Sequence, residues 1–173
     1  VTATFSLVQY TLTVTKGGAG AAASTVTSSP AGIDCGATCQ ANYARNTLVM
    51  LTAAAGAGYI FTGWGGACTG TDPCAVTMDA AKSVTATFVP NWTLTVTTTG
   101  NGTGTVTSTP AGINCGADCT EIYASGTVVN LTALASANSV FVGWEGACSG
   151  TGACTVTMDT AKAVQARFNL NNE

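Results

Sequence analysis

The sequence predicts a mainly β protein built from two tandem small modules, and three observations predict it. Short Thr- and Val-rich runs alternate polar and apolar residues, as half-buried strands do. Gly-rich and Asn-Gly segments punctuate those runs as turns. One unit is also written twice, the signature of a repeat architecture. Pro30-Ala-Gly-Ile33 recurs as Pro110-Ala-Gly-Ile113, and Cys35, Cys39, Trp64, Cys68, Cys74, Met78, Lys82 and Phe88 recur 80 positions later. Between Pro30 and Phe88, 35 of 59 positions are identical to their partners.

The elements follow in order. Val1, Thr2, Ala3, Thr4 and Phe5 match Val84-Thr-Ala-Thr-Phe88, the end of the first repeat. They read as the closing strand of a preceding repeat and as a candidate assembly strand, so residues 1–9 comprise that strand and a linker. Repeat 1 then spans 10–88, a linker 89–91, repeat 2 92–170, and a tail 171–173. Thr11–Thr15 and Thr93–Thr97 alternate as strands, followed by turns at Gly17-Gly18 and Gly100-Asn-Gly102. Thr25–Ser29 and Thr105–Thr109 are expected to return as their partner strands. Leu12 recurs 82 positions on, as Leu94, so the first Gly-rich turn is two residues longer; solvated turns accept such changes. Thr47–Thr52 and Thr127–Thr132 are further strands. Ala75–Met78, a turn at Asp79–Lys82 and Ser83–Phe88 read as a hairpin, with Val76, Met78, Val84, Ala86 and Phe88 inward. Ala53–Ala57 is the one helix-like stretch, and Gly56 and Gly58 limit it to a turn. Tyr10 and Trp92 share a repeat position and are expected at the joint between units. Small β-sandwich modules are the alternative arrangement.

Composition excludes several functions. The chain of 173 residues has 5 basic and 8 acidic residues, no histidine and a net charge of −3. Only 8% of residues are charged, against about 25% in ordinary soluble domains. Five cations cannot form the basic footprint that nucleic acid requires. Without histidine there is no imidazole base or ligand, and no nucleophile–base pair can be named, so no enzyme is expected. No apolar run reaches membrane-spanning length, so no membrane insertion is expected.

The eight cysteines point to an oxidising, extracellular or cell-surface setting, where disulfides supplement a small core. No signal peptide is visible and Val1 opens directly into a strand-like run, which reads as a processed or trimmed part of a secreted protein. Each repeat carries a Cys-x3-Cys and a Cys-x5-Cys: Cys35, Cys39, Cys68 and Cys74, then Cys115, Cys119, Cys148 and Cys154. Four cysteines allow three pairings. The adjacent clasps Cys35–Cys39 and Cys68–Cys74 are favoured over the crossed options, each contributing about 2 kcal/mol by loop closure. Neither spacing is the Cys-x2-Cys zinc knuckle, so no metal or cofactor is expected.

Trp64 and Trp144 precede the second cysteine loops. They read as core anchors beside Phe61 and Phe141, with glycan stacking as the competing role. Threonine, with 32 residues, suits the wet face of strands. Such faces lack the charges that guard sheet edges, so association with other copies or neighbouring repeats is expected. Asp79 and Asp159 occupy turns. Asp72, Asp118, Glu121 and Glu145 do not recur, so no paired acid–base site is encoded twice. Asn91, Asn101 and Asn130 begin glycosylation sequons.

The ordered set Leu12-Thr-Val14, Ser28-Ser-Pro-Ala-Gly-Ile33, Cys35-Gly-Ala-Thr-Cys39, Phe61-Thr-Gly-Trp64, Gly66-Ala-Cys68, Val76-Thr-Met-Asp79 and Val84-Thr-Ala-Thr-Phe88 resembles the divergent internalin-type B-repeat family of bacterial surface proteins. The resemblance covers nearly the whole chain, twice. It implies a β-grasp-like sheet with little or no helix, a place in a long secreted or surface protein, and no catalytic residue. The four cysteines per repeat are found in only some relatives. The function expected is a structural or adhesive repeat module, in its sharper form assembling end to end into an extracellular filament. The alternative is a polysaccharide-binding module appended to a larger secreted enzyme, with a polysaccharide or host-surface ligand.

Overall fold

The computed structural model describes residues 7–171; the candidate assembly strand Val1–Phe5 lies outside them. Fourteen strands follow one another: β1 (Gln9–Gly17), β2 (Thr25–Ser29), β3 (Gln40–Ala44), β4 (Leu48–Ala54), β5 (Tyr59–Gly66), β6 (Cys74–Thr77), β7 (Lys82–Thr99), β8 (Gly104–Thr109), β9 (Asn114–Cys115), β10 (Thr120–Ala124), β11 (Val128–Ala135), β12 (Ser139–Gly146), β13 (Cys154–Thr157) and β14 (Lys162–Leu170). No helix occurs among the described residues. The chain divides into two compact units at Pro90/Asn91, a point inside β7. Val89–Asn91, expected as a linker, are thus strand residues.

In unit 1, the first half of β7 is central. It pairs parallel to β1, with Val14 opposite Val84, and antiparallel to β5, with Phe61 opposite Phe88. β3 completes that sheet antiparallel to β1. The first and last strands of the unit are therefore parallel neighbours. A second sheet has the order β2-β4-β6. Unit 2 repeats this plan: β14 pairs parallel to the second half of β7, flanked by β12 and β10, while β13, β11, β8 and β9 form the second sheet.

Alternation explains the layering. Leu12 and Val14 of β1, Val84, Ala86 and Phe88 of β7, Val26 of β2, Val49 and Leu51 of β4, and Val76 of β6 are all buried, and they meet in one core cluster. Intervening residues such as Thr11, Thr15, Thr27 and Thr77 are exposed. Each buried Val, Leu or Phe stabilises by about 1.5–3 kcal/mol. Unit 2 has its own cluster, from Leu94 to Phe168.

Two expected pairings are corrected. β6 and the start of β7 do not form a hairpin: β6 pairs with β4, and β7 pairs with β5 and β1. Likewise β2 is not the partner of β1 but of β4, and β8 pairs with β11 and β9. Alternation puts an apolar face toward the core in either arrangement, and here the two strands face one another across it from different sheets. Backbone bonds hold the crossing: Met78 N–H donates to the Thr47 carbonyl and Asn46 N–H to that of Met78. Tyr10 and Trp92 are partly buried. Each packs on the core of its own unit, opposite Tyr43 and Tyr123 respectively. β3, β5, β10 and β12 were not expected as strands. Their glycines and short runs hide the alternation, and β5 and β12 each carry a register shift after Phe61 and Phe141.

Candidate functional site

The Phe–Trp pair and the second cysteine loop form the most elaborate constellation of each unit. β5 carries Phe61 and Trp64 on one side because the register shift between Phe61 and Gly63 compensates for the odd spacing. Their rings meet edge to face at 4.9 Å, and Phe61 lies 5.5 Å from Phe88. Trp64 is 7% exposed and Trp144 4%. The Trp64 Nε1–H donates to the Asp72 carbonyl at 2.8 Å, and Trp144 Nε1–H to Gly152 at 3.0 Å. The loops that supply these carbonyls are closed by Cys68–Cys74 and Cys148–Cys154. Trp64 N–H also reaches the Gly70 carbonyl, and Trp144 N–H that of Gly150. Both indoles thus anchor the core and pin the loop, and neither offers an open face for stacking.

The other disulfides, Cys35–Cys39 and Cys115–Cys119, close the first loop of each unit. All four are the adjacent clasps. Reduction should remove about 2 kcal/mol per clasp by the loop-closure relation; urea titration with and without a thiol reductant checks this.

A second constellation escaped the sequence reading. Ser28 Oγ donates to the Pro30 carbonyl at 2.8 Å, accepts the Ile33 N–H at 2.9 Å, and meets the Tyr43 hydroxyl at 2.7 Å. Ser108, Pro110, Ile113 and Tyr123 repeat it. The recurrence of Tyr43 as Tyr123 was the available signal. A serine bound to tyrosine and backbone has no base to activate it, so this is a clasp that ties the Pro-Ala-Gly turn to β3. Ser28→Ala should cost about 1–3 kcal/mol by stranding the Ile33 N–H, whereas Tyr43→Phe should cost about 1 kcal/mol. Chemical denaturation ranks the two, and the opposite order would overturn the clasp.

Charge is sparse, and one ion pair recurs in both units. Lys82 pairs with Asp79 at 2.8 Å and Lys162 with Asp159 at 2.6 Å. The hydrogen bond from Lys82, then its charge, holds the Asp79 carboxyl below its ordinary 3.8, and the Lys162 hydrogen bond does the same for Asp159. A carboxyl lowered in the folded state stabilises above the unfolded value and loses that contribution as pH falls through the folded one. The double variant Lys82→Met/Lys162→Met should therefore weaken the fall in stability below about pH 4, readable in acid titrations by circular dichroism. No group of three or more metal-ligating side chains occurs among the described residues.

These features define a class: an all-β tandem repeat whose recurring side chains serve packing, clasps and turns. The divergent InlB B-repeat domain matches residues 10–91 and again 93–172, and the chain belongs to that family. A comparison with curated proteins finds no match. Among solved structures, the major pilin protein T-13 from Streptococcus pyogenes aligns over 94% of this chain and 97% of its own, with a TM-score of 0.34 and 7% identity. That likeness is too distant to bear on fold or function.

Proposed function

We propose that this chain is a non-catalytic structural or adhesive segment of a secreted or cell-surface bacterial protein, and that it assembles end to end into an extracellular filament. The observation that carries the reading is the commitment of the repeated side chains. Trp64 and Trp144, the four disulfides and the two Ser–Tyr clasps are all engaged within their own units. Membership of a bacterial surface repeat family and a disulfide in every cysteine loop support the location. Val1–Phe5 has the sequence of a strand that lies centrally in unit 1, so it can bridge to another copy by strand addition at a sheet edge.

Light scattering coupled to size exclusion, with negative-stain microscopy of the same fractions, tests the proposal. Regular fibres that disappear when residues 1–8 are deleted are the expected result. A uniform monomer at all concentrations, or fibres indifferent to the deletion, would remove assembly through this strand.

A further inference from the structure

The two units differ in the space beside the Phe–Trp pair. A cleft lies beside the Phe–Trp pair of each, between the central strand of the second sheet and the second cysteine loop. In unit 1, lined by Thr52, Phe61, Trp64, Thr71 and Pro73, it encloses about 130 Å³. In unit 2 the corresponding cleft is open to solvent and measures about 390 Å³, at the lower end of the roughly 300–1,000 Å³ of small-molecule sites. The enlargement follows from the sequence: Ala153 stands where unit 1 has Pro73, Gly152 replaces Asp72, and Asn130 replaces Met50.

The lining of the larger cleft selects a ligand class. Leu131, Ala133, Phe141 and Trp144 supply the apolar part, while Asn130, Thr132 and Thr151 supply the polar part. The Asn130 Oδ1 already accepts the Thr155 hydroxyl at 2.8 Å, which fixes the carboxamide and leaves its NH2 as a donor. Phe141 is the partly exposed ring of the lining, and Trp144, 4% exposed with its N–H bonded to Gly152, backs it from the core. No acidic or basic side chain lines the cleft. A charged ligand would lose hydration there without compensation. A hydrocarbon would strand the polar groups of the rim. An uncharged ring with hydroxyls on its edge and C–H groups on one face satisfies both parts.

We infer that unit 2, and not unit 1, carries a binding site for a neutral sugar residue of a glycan. Its lining comes from β11, β12 and the Cys148–Cys154 loop, and its selectivity comes from the absence of charge. The inference does not depend on filament assembly, and unit 1 is a control built into the chain.

Two-dimensional amide NMR of the full chain tests it. The probes are neutral hexose and N-acetylhexosamine oligomers, with a galacturonate oligomer as the charged control. Saturable shifts are expected around residues 130–133 and 151–154, with none around 52–53 and 71–73. Ala153→Pro and Asn130→Met each install the residue that unit 1 holds in the same fold, and each should weaken binding at least about tenfold. Three results would overturn the inference: no saturable shift with any neutral oligomer at about 10 mM, equal shifts in both units, or unchanged affinity in both variants. Equal binding of the galacturonate oligomer would overturn the selectivity.

Discussion

Phe168→Ala is expected to lower the stability of unit 2 by about 3–5 kcal/mol. Phe168 is fully buried, its ring 5.6 Å from Phe141. A Cβ added at Gly104 would strike that same ring, so β8 lies directly against it. Truncation would leave a cavity between two sheets, each tied by its own hydrogen-bond ladder and therefore slow to collapse into the gap. The cluster that Phe168 anchors consists of unit 2 residues, so the loss should be confined there. Amide hydrogen exchange would read the effect unit by unit: protection in β11 and β14 should fall, and protection in β4 should hold. Equal loss in both units would mean that they unfold as one cooperative body.

The second large effect is expected at Gly100. Its φ is +97°, which L side chains rarely adopt, and an added Cβ would collide with the backbone carbonyl of Phe168. Strain and overpacking together should cost Gly100→Ala about 2–6 kcal/mol. Gly126 is the matched control: its φ is +86°, but an added Cβ would meet nothing within 4 Å. Gly126→Ala should therefore cost only the conformational part, about 1–2 kcal/mol. Guanidinium unfolding of the two variants separates the contributions, and equal midpoints would show that the carbonyl yields. Gly18 in unit 1 faces the Phe88 carbonyl in the same way, so Gly18→Ala should behave as Gly100→Ala does.

Both predictions depend on the closing strand of each unit, whose importance is only partly visible in the sequence. Val84, Ala86 and Phe88 are plainly an inward face, as are Val164, Ala166 and Phe168. The position of that strand between the first strand and the Phe-x-Gly-Trp strand is not. Parallel pairing of β1 with β7 joins residues about 70 apart in sequence, for example Val14 and Val84, and no local pattern announces such a contact. The Trp64 and Trp144 positions were legible as core anchors because each unit has few other large residues. Their hydrogen bonds to loop carbonyls were not, because a backbone acceptor carries no sequence label.

By itself the sequence determined the duplication, the all-β character, the inward residues and the cysteine spacing. Each of these is a local or periodic property: alternation says which side of a strand is apolar, and recurrence says that the same answer is given twice. Only the tertiary structure decided which strands are edge neighbours and which face one another across the core. It also joined Ser28 to Tyr43 and widened in unit 2 the cleft that Pro73 narrows in unit 1. These outcomes depend on the path of the backbone between strands and on the space left when two sheets close over a shared core. A period-two pattern satisfies several such paths equally, and packing selects among them.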